Sequence, residues 1–140
     1  MIPDNKSPAA LIDALSAEHR ALLPELARLA QEASASAESL KTAVERIAPL
    51  IGLPLDEHIA TEDRELFPAY AARGGDAGIL AFFTAEHVEI LAIRNRLLAA
   101  IEDNDHTEAV GFLAEQLADT LSSHMNREDE VLFPAMRDLL

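Results

Sequence analysis

Two short segments carry a histidine and a glutamate four residues apart, His58 with Glu62 and His124 with Glu128. On a helix that spacing places both side chains on one face, with their heads aimed at a common point. Imidazole nitrogen and carboxylate oxygen together suit iron, zinc or manganese. A single pair of this kind is also an ordinary surface ion pair. Here the pair is repeated inside a longer duplicated block. His58 to Ala69 (HIATEDRELFPA) aligns with His124 to Ala135 (HMNREDEVLFPA), identical at seven of 12 positions. Chance would give on the order of one identity at ordinary residue frequencies. A second match, Ala17-Glu18-His19 with Ala85-Glu86-His87, lies at nearly the same offset, 68 residues rather than 66.

The elements that must position these residues are helices. Ile12, Leu15, His19, Leu22, Leu26 and Leu29 fall at alternating spacings of three and four, one stripe of a helix that Ser7 can cap and Pro8 can start. Pro24 predicts a kink in it. The Ser/Ala-rich stretch Glu32 to Glu38 reads as a loop. A second helical segment spans about 38–72, interrupted near Pro49, Gly52 and Pro54 and ended by Arg73-Gly74-Gly75-Asp76. Beyond the interruption its inward stripe is Leu55, His58, Glu62, Leu66 and Ala69. The third runs over about 77–102, and Asp103-Asn104-Asp105 makes the next turn. The fourth covers about 107–139, with Leu113, Leu117, Leu121, His124, Glu128, Val131, Ala135 and Leu139 inward. Four amphipathic segments joined by short connections predict an all-α, antiparallel up-down four-helix bundle. Its two helix pairs are related by a pseudo-twofold axis, and residues 1–140 form a single domain with a core over about 8–139.

Each stripe contains a polar residue where an apolar one belongs. His19, His58, Glu62, His87, His124 and Glu128 all face inward, and buried carboxylates are costly unless paired or bound to metal. Metal ligation is therefore the expected role of all six. Phe67 and Phe133 are expected to be symmetry-related core plugs, and Leu15, Leu22, Leu55, Phe83, Ile90, Leu121 and Val131 an apolar lining. Asp63 and Asp129 should face solvent or accept hydrogen bonds from the ligands, and His106 should be exposed.

Composition narrows the partners. The 140 residues include no cysteine, so thiolate zinc sites, iron–sulfur clusters, disulfides and cysteine nucleophiles are excluded. That absence, with no recognisable signal peptide, suits a reducing cytoplasm. With 25 acidic against 11 basic residues the net charge is −14, which disfavours nucleic acid and anionic membrane surfaces. No run approaches the ~18 apolar residues of a membrane span.

The order H…H-x-x-x-E…H…H-x-x-x-E, with Leu-Phe-Pro after each H-x-x-x-E, resembles the hemerythrin-like, or HHE cation-binding, domain over about Leu11 to Leu139. The resemblance implies an up-down bundle holding a non-haem di-iron centre, with His19, His58, Glu62, His87, His124 and Glu128 as ligands to two Fe ions. Zinc or manganese can replace iron in a purified sample. The ferritin-like di-iron pattern Glu-x-x-His is absent from the sequence. Two departures separate the chain from the oxygen-carrying members. Leu91 stands where they have a fifth histidine, and Glu128, four residues after His124, replaces an Asp spaced five from its histidine.

The expected division gives His19 and His58 to one metal and His87 and His124 to the other, with Glu62 and Glu128 bridging. Tyr70, Glu65, Glu86 or solvent would complete the coordination. The leading functional expectation is binding or sensing of a small ligand such as O2 or NO, or iron handling. The alternatives are a di-iron oxidoreductase acting on peroxide and a structural bundle without functional metal.

Overall fold

The computed structural model describes residues 7–103 and 107–140. His106 and most of the expected turn at 103–105 lie outside the described residues. Among those described, the chain is helical with short connections and has no strand. The helices are α1 (Pro8–Ala33), α2 (Ala37–Ile51), α3 (Leu53–Thr61), α4 (Phe67–Ala72), α5 (Ala77–Glu102), α6 (Thr107–Arg127) and α7 (Phe133–Leu139). α1 packs against α2 and α6, and α5 against α6.

Local chemistry sets most boundaries. The Ser7 hydroxyl accepts from the Ala10 amide with Pro8 in the first turn, and Ser36 accepts from Ser39 at the start of α2. Asp76 caps α5 by accepting from the amides of Gly78 and Ile79. Chain reversal after α4 uses Gly74, whose φ of 85° is the left-handed conformation that favours glycine. Pro24 lies inside α1 without ending it. The expected interruption of the second segment falls at Gly52, between α2 and α3, while Pro49 is accommodated inside α2. Arg94 of α5 seals that break, donating to the carbonyls of Ile51 and Gly52 and to Asp56.

Two stretches depart from the even helical period. Glu62–Leu66 and Glu128–Leu132 are π-helical turns joining α3 to α4 and α6 to α7. The amide of Phe67 reaches back five residues to the Glu62 carbonyl, and that of Phe133 to Glu128. A proline follows each turn. Pro68 and Pro134 have no N–H for the carbonyl four residues earlier and their rings crowd it, which favours a local departure there, although Pro24 and Pro49 sit inside helices without one. Widening adds one residue and rotates everything after it. Tyr70, Leu132 and Met136 are therefore buried in place of Ala69, Val131 and Ala135, while Leu66, Phe67 and Phe133 are buried as expected. Val131, expected in the lining, is instead 58% exposed. Leu139 is exposed too, and Ala69 and Ala135 are only half-buried.

The apolar interior forms two clusters. One contains Leu26, Leu29, Ile47, Ile51, Leu55, Ile59, Ile90, Leu117 and Leu121, with Leu91 packed at its edge. The other contains Leu15, Leu66, Phe67, Tyr70, Phe83, Leu132 and Phe133. Along each segment the inward histidines and glutamates fall between the residues of one cluster and those of the other.

Candidate metal centre

The six stripe-breaking residues converge into a single polar layer. His19, Glu62 and Glu128 are completely buried, and His58, His87 and His124 nearly so. Their ligand-type atoms form two groups, each with all atoms within 4.8 Å of one another. These groups are His19, His58, Glu62 and Glu128, and Glu62, His87, His124 and Glu128. Both glutamates belong to both groups. Glu62 offers one oxygen 3.4 Å from His58 Nε2 and the other 2.8 Å from His87 Nε2. Glu128 offers one oxygen 3.2 Å from His19 Nε2 and the other 3.3 Å from His124 Nε2. The fold thus brings His19 and His58 together on one side and His87 and His124 on the other, with Glu62 and Glu128 between them.

The ring orientations have a specific cause. Every inward imidazole uses its outward Nδ1 on a carboxylate of another helical segment. His19 pairs with Asp129 at 3.0 Å, His58 with Glu18 at 2.9 Å, His87 with Asp63 at 2.9 Å and His124 with Glu86 at 2.9 Å. An ionised carboxylate can only accept, so Nδ1–H donates and Nε2 is the nitrogen turned to the centre, where the Nε2 atoms of His19 and His58 also share a hydrogen bond at 3.1 Å. Asp129 is itself held by the Ser16 hydroxyl at 3.0 Å. Phe133 stacks on His19 and Phe67 on His87, with centroids 5.7 Å apart in each pair, so the two aromatic plugs do occupy related places.

These outer carboxylates were only partly legible. Of the solvent and acceptor roles the sequence allows Asp63 and Asp129, the acceptor role is the one observed. Glu86, a candidate ligand by sequence, stands behind His124, where Arg127 also holds it. Glu18 behind His58 is not singled out by the stripes. The signal for both was the repeated Ala-Glu-His, in which each glutamate precedes one histidine and supports another. Glu65 is exposed, and Tyr70 is buried in the Phe67–Phe133 cluster with its ring against Gly75.

Without a cation the layer is electrostatically unresolved. Both oxygens of Glu62 and of Glu128, and Nε2 of His87, are buried without a hydrogen-bond partner. The nearby nitrogens lie within ion-pair distance but not in hydrogen-bond geometry. Leaving such groups unsatisfied costs about 1–3 kcal/mol each, more when charged. Burial and the charge of Glu128 push the Glu62 carboxyl up. Burial also pushes Glu128 up, but His124, His19 and His87 outweigh it and hold that carboxyl well below the usual range. Burial lowers the His58 pKa, yet Glu18 and Glu62 prevail and raise it to about 10. His87 is raised to about 10 against its burial by Glu128 and Glu62. His124 is raised in the same way by Glu128 and Glu86. Protons thus partly compensate two facing carboxylates. A cation at each group would do so more fully and would use the unpartnered oxygens, so the donor set fits nitrogen- and oxygen-seeking metals such as iron.

Among the described residues no helix is long and apolar enough to cross a membrane. No curated protein and no solved structure matches the chain. The model of the hemerythrin HHE cation-binding domain matches residues 10–137, nearly all of the 140-residue chain. The buried histidines and glutamates, each imidazole fixed from behind, are what a cation-binding domain requires, and the chain belongs to the hemerythrin HHE cation-binding family.

Proposed function

We propose that the chain is a single-domain, non-haem di-iron protein that binds or senses a small ligand such as O2 or NO. The supporting observation is the pair of four-residue groups that share Glu62 and Glu128, whose carboxylate oxygens are buried and unpartnered. In this reading His19 and His58 hold one iron, His87 and His124 the other, and both glutamates serve the two. The four helical arms, α1, α2–α4, α5 and α6–α7, form an antiparallel bundle around them.

Iron held by these residues would supply a redox-active Lewis acid able to bind a diatomic ligand. The chain's own residues do the rest. Asp129, Glu18, Asp63 and Glu86 fix the imidazole tautomers and orientations. Glu62 and Glu128 carry the charge that balances the cations. The two apolar clusters on either side limit the water around the layer, which strengthens its electrostatic contacts.

Elemental analysis of purified protein, with optical spectra in air and under anaerobic conditions, tests this reading. Two irons per chain and a charge-transfer band that responds reversibly to O2 or NO are expected. A protein purified from iron-replete cells without metal, and unable to take it up, overturns the reading.

A further inference from the structure

A chamber lies beside the centre. A cavity of about 410 Å³ borders His19, His58 and His124, while neither glutamate of the layer nor His87 is on its wall. Its inner surface is Leu55, Ile59, Ile90, Leu121 and Met125, all buried. Its mouth lies between Ala21 and Glu18 of α1 and Leu50, Pro54 and Glu57 around the Gly52 break, residues that reach solvent.

Size argues against a diatomic as the only guest. A molecule as small as O2 needs about the ~30 Å³ share of one water, whereas organic ligands occupy pockets of about 300–1,000 Å³. Chemistry narrows the guest further. The inner wall is aliphatic, with a thioether at Met125 that can adapt to irregular shapes. No lysine or arginine lines the cavity among the described residues, while Glu18 and Glu57 flank its mouth. A carboxylate or phosphate would have to pass these two acidic groups, and His58 inside is already paired with Glu18 and Glu62. Thr61 and Glu18 provide one polar edge, beside His58.

We propose that this cavity binds a neutral organic molecule with an apolar aryl or branched-alkyl body and one hydroxyl-type head, the class of alcohols and organic hydroperoxides. The guest sits beside the His19–His58 group. The inference rests on the metal-centre reading only for what the head faces, because the cavity's own wall is side chain.

Titration of the full chain with 2-phenyl-2-propanol, followed by calorimetry and ligand-observed NMR, tests it, on iron-loaded and on chelator-treated protein. One saturable site per chain is expected in both, with 4-isopropylbenzoate at least tenfold weaker. Ala21→Trp, at an exposed position of the mouth, should weaken the alcohol at least tenfold while iron content and helical circular dichroism stay unchanged. Leu50→Trp serves the same purpose should the first variant misfold. Glu57→Lys should shrink the preference for the neutral probe severalfold. Absence of saturable binding, equal affinity for the carboxylate, or binding unaltered in both tryptophan variants overturns the inference. Two irons without guest binding sinks this inference and leaves the metal reading standing; guest binding without metal uptake does the reverse.

Discussion

The two halves of the polar layer repeat the same parts in different surroundings. Behind His58 the outer carboxylate is Glu18, whose side chain is 57% exposed at the mouth of the cavity. Behind His124 it is Glu86, 17% exposed, clamped by Arg127, whose guanidinium also lies over the Phe82 ring. In the duplicated sequence Thr61 occupies the place of Arg127, and Ala14 that of Phe82. Two differences between small and large side chains therefore accompany an exposed outer carboxylate in one half and a covered one in the other, while the inward histidines and glutamates and the hydrogen bonds behind them are kept. The difference teaches that duplication preserved what balances charge and left what controls access free to diverge.

The comparison can be broken most severely at the shared residues. Glu62→Ala and Glu128→Ala each remove a ligand from both halves, and bound metal should fall from two ions per chain towards none by elemental analysis. A variant that keeps one full equivalent would show that the halves are independent.

Proton competition should act on both halves alike, through His58 on one side and His87 on the other. Each keeps its proton up to about pH 10 in the metal-free fold, against 6.5 for an ordinary histidine. Their contribution to metal-free stability is complete below pH 6.5 and is lost as pH rises through about 10. Metal must displace the same protons, so affinity should rise over that window, by about tenfold per pH unit for each proton released. Competition titrations with a chelator at several pH values measure this. A flat affinity above pH 6.5 would contradict it.

Removing an outer carboxylate separates the halves. Glu86→Gln should weaken metal binding by about 10- to 100-fold. Glu18→Gln should cost less, because water can replace an exposed partner. A smaller effect is expected from exchanging the covers. Arg127→Thr should let a chelator strip the second half several times faster, and Thr61→Arg should slow loss from the first. Stopped-flow chelation resolves the two phases, and unchanged rates would mean that cover does not govern access.

The smallest change tests the widened turn. Val131→Gln should alter unfolding free energy by no more than about 0.5 kcal/mol, as for other exposed sites. In an uninterrupted helix the same valine would face the core, and the substitution would cost about 2 kcal/mol or more.

The spacing of residues determined much of this. Stripes of period three and four specified helices, and the limits of α5 were legible because Asp76 and its neighbours carry strong local signals. His19, His58, Glu62, His87, His124 and Glu128 stood out because each breaks an apolar stripe, a purely one-dimensional signal. Beyond Glu62 and Glu128 an even stripe puts Ala69, Val131 and Ala135 inward, one step from the buried Tyr70, Leu132 and Met136, whereas Leu66, Phe67 and Phe133 are buried as expected. A helical wheel assumes an even turn, and the π turns at Glu62–Leu66 and Glu128–Leu132 break it. Tertiary structure alone decided which carboxylate stands behind which imidazole, since those pairs join segments 24 to 110 residues apart. It alone decided, too, that the carboxylate behind His58 is exposed and the one behind His124 covered. Access depends on the side chains of neighbouring helices that meet across the layer, and no single stripe contains that information.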